Sequence, residues 1–585
     1  MMKKILLAAI NAKYIHSNLA VYSLKAYADE RLADVCAEGA FAGVEIEIGE
    51  YTINQQPEAV MEDIYRRKPD LLCFSCYIWN IQMIRMLLPE IRKVLPETEI
   101  WLGGPEVSYD SVQMLAQFPQ VRGIMKGEGE ETFAALAARI AASERGEAAD
   151  LEGIEGITCR NSRGQVEDHP WREPMDMDKI PFVYQDMTDF RHKIVYYESS
   201  RGCPFSCSYC LSSVDKRLRF RSLDLVKKEI RFFLDAGTQQ VKFVDRTFNC
   251  RHDHALEIWK YIHEHDNGIT NFHFEVSADL LNEEELSLIR SMRPGLIQLE
   301  IGVQSVNPDT IREIRRTMDL ERLERAVQKV REGRNVHQHL DLIAGLPWED
   351  LDSFGRSFDR VYAMRPDQLQ LGFLKVLKGS RMEERKEAYG LLCRDTPPYE
   401  VLSTRWLSYG DILTLKGVED MTETYYNSGQ FKAALALLER RENSAFALYR
   451  KLADFYRGHG MGQVQHARAV RYRILLDFVR ETYPQDEEEM RERLIYDYYL
   501  RENAKSRPDF AGESLVDGQW ARSFYEEEAR EHRYLEGYEG ADKNQLRRMT
   551  HLEYFSRKDV YVLFDYRNRD PLTNDGKGIR IAKGK

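Results

Sequence analysis

Three cysteines within eight positions constrain this chain more than any other feature. Cys203, Cys207 and Cys210 stand in RGCPFSCSYC, spaced C-x3-C-x2-C, directly after the strand-like run IVYYESS. A loop leaving a strand end can wrap so that all three thiolates face one centre. Structural zinc normally takes four protein ligands in two separated pairs, and no second pair is present. The remaining six cysteines, Cys36, Cys73, Cys76, Cys159, Cys250 and Cys393, are scattered. Nine cysteines in 585 residues make no disulfide scaffold. Three thiolates do suit a [4Fe–4S] cluster, where they hold three irons and leave the fourth open to a ligand with amino and carboxylate groups.

A chain of this length exceeds one hydrophobic core, and about three or four domains are expected. In residues 1–145, KILLAAI, VEIEIGEY, PDLLCFSCYI, EIWLGG and GIMKG read as buried strands separated by helical stretches. That alternation predicts a doubly wound, Rossmann-like parallel sheet with its ligand at the carboxyl ends of the strands. Residues 146–190 read as a connector, with EGITCR and QVEDHP as a hairpin and Pro174 and Pro181 as breakers. From 191 to 385, six strand-like segments at helix-length spacing predict a partial (β/α)6 barrel. Residues 386–585 turn to helices rich in Glu, Arg and Tyr and read as a mainly helical accessory or substrate domain. The fold class expected is α/β.

The cysteine spacing, with Tyr209 just before the last cysteine, resembles the signature of the radical S-adenosylmethionine (SAM) superfamily. The resemblance implies a cluster held by Cys203, Cys207 and Cys210, and SAM chelated at the open iron. It extends along the barrel. VKFVDRTFN implies that Asp245 contacts the SAM amino group, although it departs from the more common Gly-Gly-Glu form. LEIGVQS implies Gln304 and Ser305 near the ribose, and DLIAGLPWED resembles the segment beside adenine. Glu275, in FHFEVSA, is expected to point into the barrel or its wall.

The first 145 residues resemble the cobalamin-binding domain that precedes the barrel in one radical SAM subclass. PDLLCFSCYIWN, IWLGGPE and KGEGEETF carry the likeness and imply a cofactor site at Ser75, Trp79, Gly103, Gly104, Gly127, Glu128 and Gly129. Glycines at strand ends let the backbone approach a bulky ligand. Glu128 and Glu130 can accept from the corrin's peripheral amides or cap the next helix. The Asp-x-His-x-x-Gly motif of a lower cobalt ligand is lacking. His16, in KYIHSNLA, is the nearest candidate and is expected to pack a loop instead. Cys73 and Cys76, three apart on a strand, point to opposite faces and read as buried thiols. The basic run KRLRFR (216–221) reads as a solvated helix approach, or as a partner for an anionic substrate or reductant. RLIYDYYLRENAKSRPDF and DVYVLFDY resemble a C-terminal domain of unknown function found on some such proteins; Tyr496, Tyr498 and Tyr499 read there as core or interface.

A formal charge of −12 argues against a nucleic-acid binder. No run approaches the ~18 apolar residues of a membrane span. The opening ILLAAI is shorter than a signal peptide's ~7–15-residue apolar region and lacks a cleavage site, so a cytoplasmic protein is expected. The resemblance implies an enzyme methylating an unactivated carbon through methylcobalamin and a 5′-deoxyadenosyl radical, fed by an electron donor such as flavodoxin or ferredoxin. Cyclisation, rearrangement or reduction with the same cofactors is the alternative, and a non-catalytic cobalamin sensor or carrier is the alternative of another class. A tRNA methylthiotransferase would carry a second three-cysteine cluster near its N-terminus, which is missing.

Overall fold

The apolar runs of the first 125 residues become neighbours in one sheet because each is flanked by a helix that covers a face. β1 (Lys3–Asn11) pairs in parallel with β2 (Val44–Thr52) on one side and β3 (Leu71–Ser75) on the other. β4 (Glu99–Gly103) and β5 (Gly123–Met125) follow in parallel. The strand order therefore reverses between β1 and β3, the point where open α/β sheets bind ligands. β6 (Ile157–Arg160) and β7 (Val166–Asp168) extend the sheet antiparallel beyond β5. The hairpin read as part of a connector thus completes the N-terminal sheet. The computed structural model describes residues 2–37, 43–143, 149–214, 216–462 and 464–582; the expected boundary at 145/146 lies outside them.

The two faces of this sheet bury separate cores. Cys73 packs with Ile5, Leu7 and Trp101. Cys76, one residue past β3, packs with Phe74 and Leu102 on the other face. Burial pushes both thiols well up, so neither is a redox pair member.

A second sheet holds β8 (Val195–Tyr197), β9 (Gln240–Phe243), β10 (Asn271–Val276), β11 (Ile297–Gln304), β12 (His337–Ala344) and β13 (Gln368–Phe373). They lie in sequential order, all parallel, as a partial barrel requires. Along β11, Ile297, Leu299, Ile301 and Val303 are fully buried, while Gln298, Glu300, Gly302 and Gln304 alternate with them and are only half-buried. The apolar set packs outward under the helices, and the polar set faces the barrel interior.

An open barrel leaves β13 as an exposed edge, a hazard that proteins normally cover. At Leu369 a single side chain does it. The Asn427 Oδ1 accepts from Leu369 N and its Nδ2 donates to Leu369 O, each at 2.9 Å, as a neighbouring strand would. Asn427 ends a π-helical turn, Thr422–Asn427, that continues the helix Tyr409–Met421. Beyond it, Phe446 and Tyr449 pack on Phe358 of the barrel's last helix, with ring centroids 5.9 and 5.8 Å apart. Barrel and following helices thereby share one continuous core, whereas residues 521–581 also build a smaller one around an antiparallel three-stranded sheet. Among the described residues no helix is long and apolar enough to cross a membrane.

Asn427→Ala should strip both partners from the buried Leu369 backbone and cost on the order of 3 kcal/mol. Urea titration of the full chain would register this as a lower unfolding midpoint. An unchanged midpoint would mean that the edge is satisfied in some other way.

Candidate active site

The carboxyl ends of β1, β3, β4 and β5 face the barrel mouth across a cavity of about 1180 Å³. Ordinary small-molecule pockets run to roughly 300–1,000 Å³, so this one has room for a macrocycle. Ser75, Trp79, Gly104 and Gly127 line it from the sheet; Tyr196, Arg201 and Arg246 line it from the barrel. Trp79 stacks on Tyr77 with centroids 4.3 Å apart, and its Nε1 donates to Ile10 O at 3.2 Å. The ring is thereby fixed, yet remains 43% exposed. Asn18 Nδ2 donates to Ser75 Oγ at 3.3 Å. Trp171, unnoticed in the sequence, lies over Gly127, where a Cβ would meet its indole at 3.4 Å. Buried Lys126 underpins that ring from 5.4 Å while donating to Asp168 and to His169 O. Fixed aromatic faces beside short polar groups are what a large, flat, amide-fringed cofactor needs, so the residues present fit cobalamin.

The glycines take part differently from expectation. Gly104 has φ +109°, and a Cβ there would meet Cys76 O at 2.5 Å. Gly129 would meet Leu24 at 2.8 Å, and Gly103 makes only ordinary contact with Met125. Backbone packing against Cys76 requires glycine at 104, and Gly103, Gly104, Gly127 and Gly129 all line the cavity.

Glu128 also departs from its expected role. Its carboxylate is taken by Arg219, with Nη1 at 3.0 Å, and by Arg201 at 3.6 Å. Within the run 216–221, Lys216 and Arg217 are exposed at the cavity wall, whereas Arg219 and Arg221 are drawn inward. Arg219 holds Glu128, Arg217 holds Glu173, and Arg221 is buried against Glu229 and the Met177 and Ile180 carbonyls. The basic run fastens the barrel to the cobalamin-type domain and the connector. Arg201 is the centre of this arrangement. It donates to Glu130 Oε1 at 2.6 Å and to Glu198 Oε2 at 2.9 Å, and Ser23 also donates to Glu130 at 2.9 Å.

Two residues after Arg201, the cysteine loop begins. Gly202 has φ +91°, and a Cβ there would sit 2.5 Å from Arg217 O. Ser208 N donates to Ile314 O at 2.9 Å, and Met382 N donates to Ser208 O at 2.8 Å. The loop is thus pinned from two sides. Cys203 and Cys207 are buried, Cys210 is half-buried, and all three are free thiols. Burial pushes the Cys207 thiol up, and the Arg316 guanidinium beside it pulls the other way. Arg316 also meets Tyr209 Oη at 3.4 Å. Three unpaired thiols with one buried cation beside them form a donor set that fits an iron–sulfur cluster.

The strand-end residues divide. Asp245 is not in the cavity. It is buried, accepting from Ser199 N at 3.0 Å and from the Ser199 and Ser200 hydroxyls at 2.6 Å each. Burial pushes its carboxyl up to about 6 against those bonds. Strand alternation turns Val244 and Arg246 to the cavity in its place. Ser305 is likewise closed off, donating to Glu349 at 2.7 Å within a buried network that includes Ser357. Gln304 fits a SAM contact better. It has φ +73°, and its buried Oε1 has no partner. Glu275 faces the barrel interior, where burial pushes its carboxyl up to about 7 while Arg246 opposes. His16 does more than pack a loop: its Nδ1 meets Tyr196 Oη at 2.5 Å across the domain boundary.

Arg201→Gln should leave Glu130 buried without its cation and cost about 3–5 kcal/mol, read as an earlier first transition on heating. Burial opposes the charge on Glu130, but Arg201 overcomes it and lowers the carboxyl from 4.5. This contribution to stability is therefore full above about pH 4.5 and lost as pH falls through the lowered value. Stability measured from pH 6 down to pH 3 should fall less steeply in Arg201→Gln than in the parent protein.

Comparison with known proteins agrees with this geometry. A model of the B12 binding domain matches residues 5–137, one of the radical SAM superfamily matches 197–361, and a protein of unknown function, DUF4080, matches 387–570. The cobalamin-dependent radical SAM methyltransferase TokK of Streptomyces tokunonensis is 25% identical over 55% of this chain and 50% of its own length. An uncharacterised methyltransferase of Pyrococcus horikoshii is 24% identical over 53% of this chain and 66% of its own. An anaerobic magnesium-protoporphyrin IX monomethyl ester cyclase of Rubrivivax gelatinosus is 24% identical over 57% and 61%. The chain thus spans about half to two thirds of these curated relatives. Among solved structures, the cobalamin-dependent SAM radical enzyme OxsB superposes with a TM-score of 0.57 at 15% identity, over 85% of this chain and 84% of that one. TsrM from Kitasatospora setae, a radical SAM methyltransferase with cobalamin and a [4Fe–4S] cluster bound, gives 0.54 at 19% over 68% and 79%. At such identities the likeness is one of fold. Taken with the cysteine loop and the cavity, the three matching domains identify the chain as a cobalamin-binding member of the radical SAM superfamily that carries a C-terminal domain of unknown function.

Proposed function

We propose that the protein is a cobalamin-dependent methyltransferase acting on an unactivated carbon, with Cys203, Cys207 and Cys210 as the cluster ligands. One observation carries the reading: the carboxyl ends of the sheet strands and the barrel residues Tyr196, Val244 and Arg246 line one chamber, and the cysteine loop begins two residues after Arg201 in its wall. When bound, the cluster and SAM supply one-electron chemistry and cobalamin supplies a transferable methyl group. The chain's own residues orient and enclose. Arg316 and Tyr209 flank Cys207, and the unpartnered Gln304 Oε1 would take a donor from SAM. Tyr77, Trp79 and Trp171 present flat apolar surface that excludes water. The methyltransferase names of TokK and the Pyrococcus protein support methyl transfer. The Rubrivivax cyclase supports the second reading, cyclisation without methyl transfer. The eight described cysteines are all free, which suits a reducing cytoplasm and an electron donor such as flavodoxin or ferredoxin.

Two experiments test this. With SAM deuterated on its methyl group, the reconstituted enzyme should label its product and form S-adenosylhomocysteine alongside 5′-deoxyadenosine, and Cys203→Ala should do neither. Turnover to 5′-deoxyadenosine alone would favour the cyclase-like reading. In the second, His16→Ala should leave the absorption spectrum of bound cobalamin unchanged, because His16 Nδ1 is engaged by Tyr196 rather than by cobalt. A shifted spectrum would identify His16 as a ligand.

A further inference from the structure

Inside the barrel, away from the cysteine loop, a second set of ligand-type side chains converges. Glu300 on β11 stands in register with His339 on β12, and Asp341 lies two residues further along the same face. In-register neighbours on adjacent strands are about 4.8 Å apart, and residues i and i+2 share a face, so these three meet by construction. One ligand atom from each lies within 4.8 Å of the others.

Their pairing is incomplete in a telling way. His339 Nε2 is 3.0 Å from Asp341 Oδ1, and His273 Nε2 is 3.0 Å from Glu300 Oε2. His339 is only 7% exposed, and its Nε2 and Asp341 Oδ1, although 3.0 Å apart, do not form a well-aligned hydrogen bond. Leaving such groups unsatisfied costs about 1–3 kcal/mol each. Two donors at right angles on one ion with ~2.1 Å bonds stand roughly 3.0 Å apart, so the spacing that fails as a hydrogen bond suits a shared metal. Lys242 Nζ, at 3.0 Å, and His273 both bear on Glu300 Oε2, as outer partners hold a ligating carboxylate. The Glu300 and Asp341 side chains retain 22% and 21% exposure, enough for an ion to enter.

We propose that Glu300, His339 and Asp341 bind a divalent first-row transition ion inside the barrel, with His273 positioning Glu300. One imidazole and two carboxylates form a nitrogen–oxygen set that suits zinc, manganese or iron(II) and differs from the three-thiol set of the cysteine loop. The ion would cross-link β11 to β12.

The test uses the full chain, reconstituted anaerobically with iron, sulfide and hydroxocobalamin, then equilibrated with zinc sulfate and gel-filtered. Elemental analysis should find about one zinc per chain, and zinc-edge X-ray absorption should show only nitrogen and oxygen neighbours at about 2.0–2.2 Å. Asp341→Asn should lose at least about 100-fold in zinc affinity, and His273→Gln about 10–100-fold. Both should keep their iron and cobalt content. Absence of zinc from the parent protein, sulfur neighbours at about 2.3 Å, or equal zinc in Asp341→Asn would each overturn the site and leave a proton-bridged His339–Asp341 pair. Should a variant fail to fold, the absorption spectrum of the parent protein decides alone.

Discussion

The join between the two halves of the chamber turns on one half-buried guanidinium. Arg201 stands two residues before the first cluster cysteine and reaches Glu130 in the first turn of the helix Glu130–Ala142. A carboxylate at that position already favours the helix dipole. Sharing it with an arginine from the barrel makes the start of that helix a point where two domains are registered. Charges this buried are costly unless fully paired, and Glu130 and Glu198 supply the pairing. The position of the cysteine loop relative to the sheet's crevice is thus set by electrostatics over a few ångströms, not by a flexible linker.

The barrel interior follows from the same economy. The six-stranded sheet is open, with its first and last strands unpaired to each other, and its inner positions do not pack as layers of branched aliphatics do in a complete barrel. Lys242, His273, Glu275, Glu300 and Asp341 occupy them instead, and hydrophobic burial is left to the outward positions beneath the helices. Polar lining keeps the interior hydrated and open to ligands, at the cost of requiring mutual neutralisation.

These facts mark how far the sequence could be read. The cysteine loop and the apolar runs that become strands of the two sheets are local patterns, and each was legible residue by residue. Asp245 and Ser305 turn into buried hydrogen-bond networks rather than the cavity, because a motif gives the strand position but not which face a side chain takes beyond the strand's end. The role of 216–221 was hidden for another reason. Arg219 and Glu128 are 91 residues apart, and nothing in a charge run names a distant partner. Trp171 was passed over as part of a proline-punctuated connector. Its one signal, a large aromatic in an otherwise polar stretch, is common on protein surfaces.

The seam where Asn427 imitates a strand has a consequence for how this protein can be divided. A fragment ending at the last barrel strand would expose the Leu369 backbone along with the apolar patch that Phe446 and Tyr449 now cover. Such a piece would carry a free, sticky sheet edge and tend to self-associate through it. The region of unknown function is therefore a folding partner of the barrel, and a catalytic core cut from this chain has to carry the helical segment along.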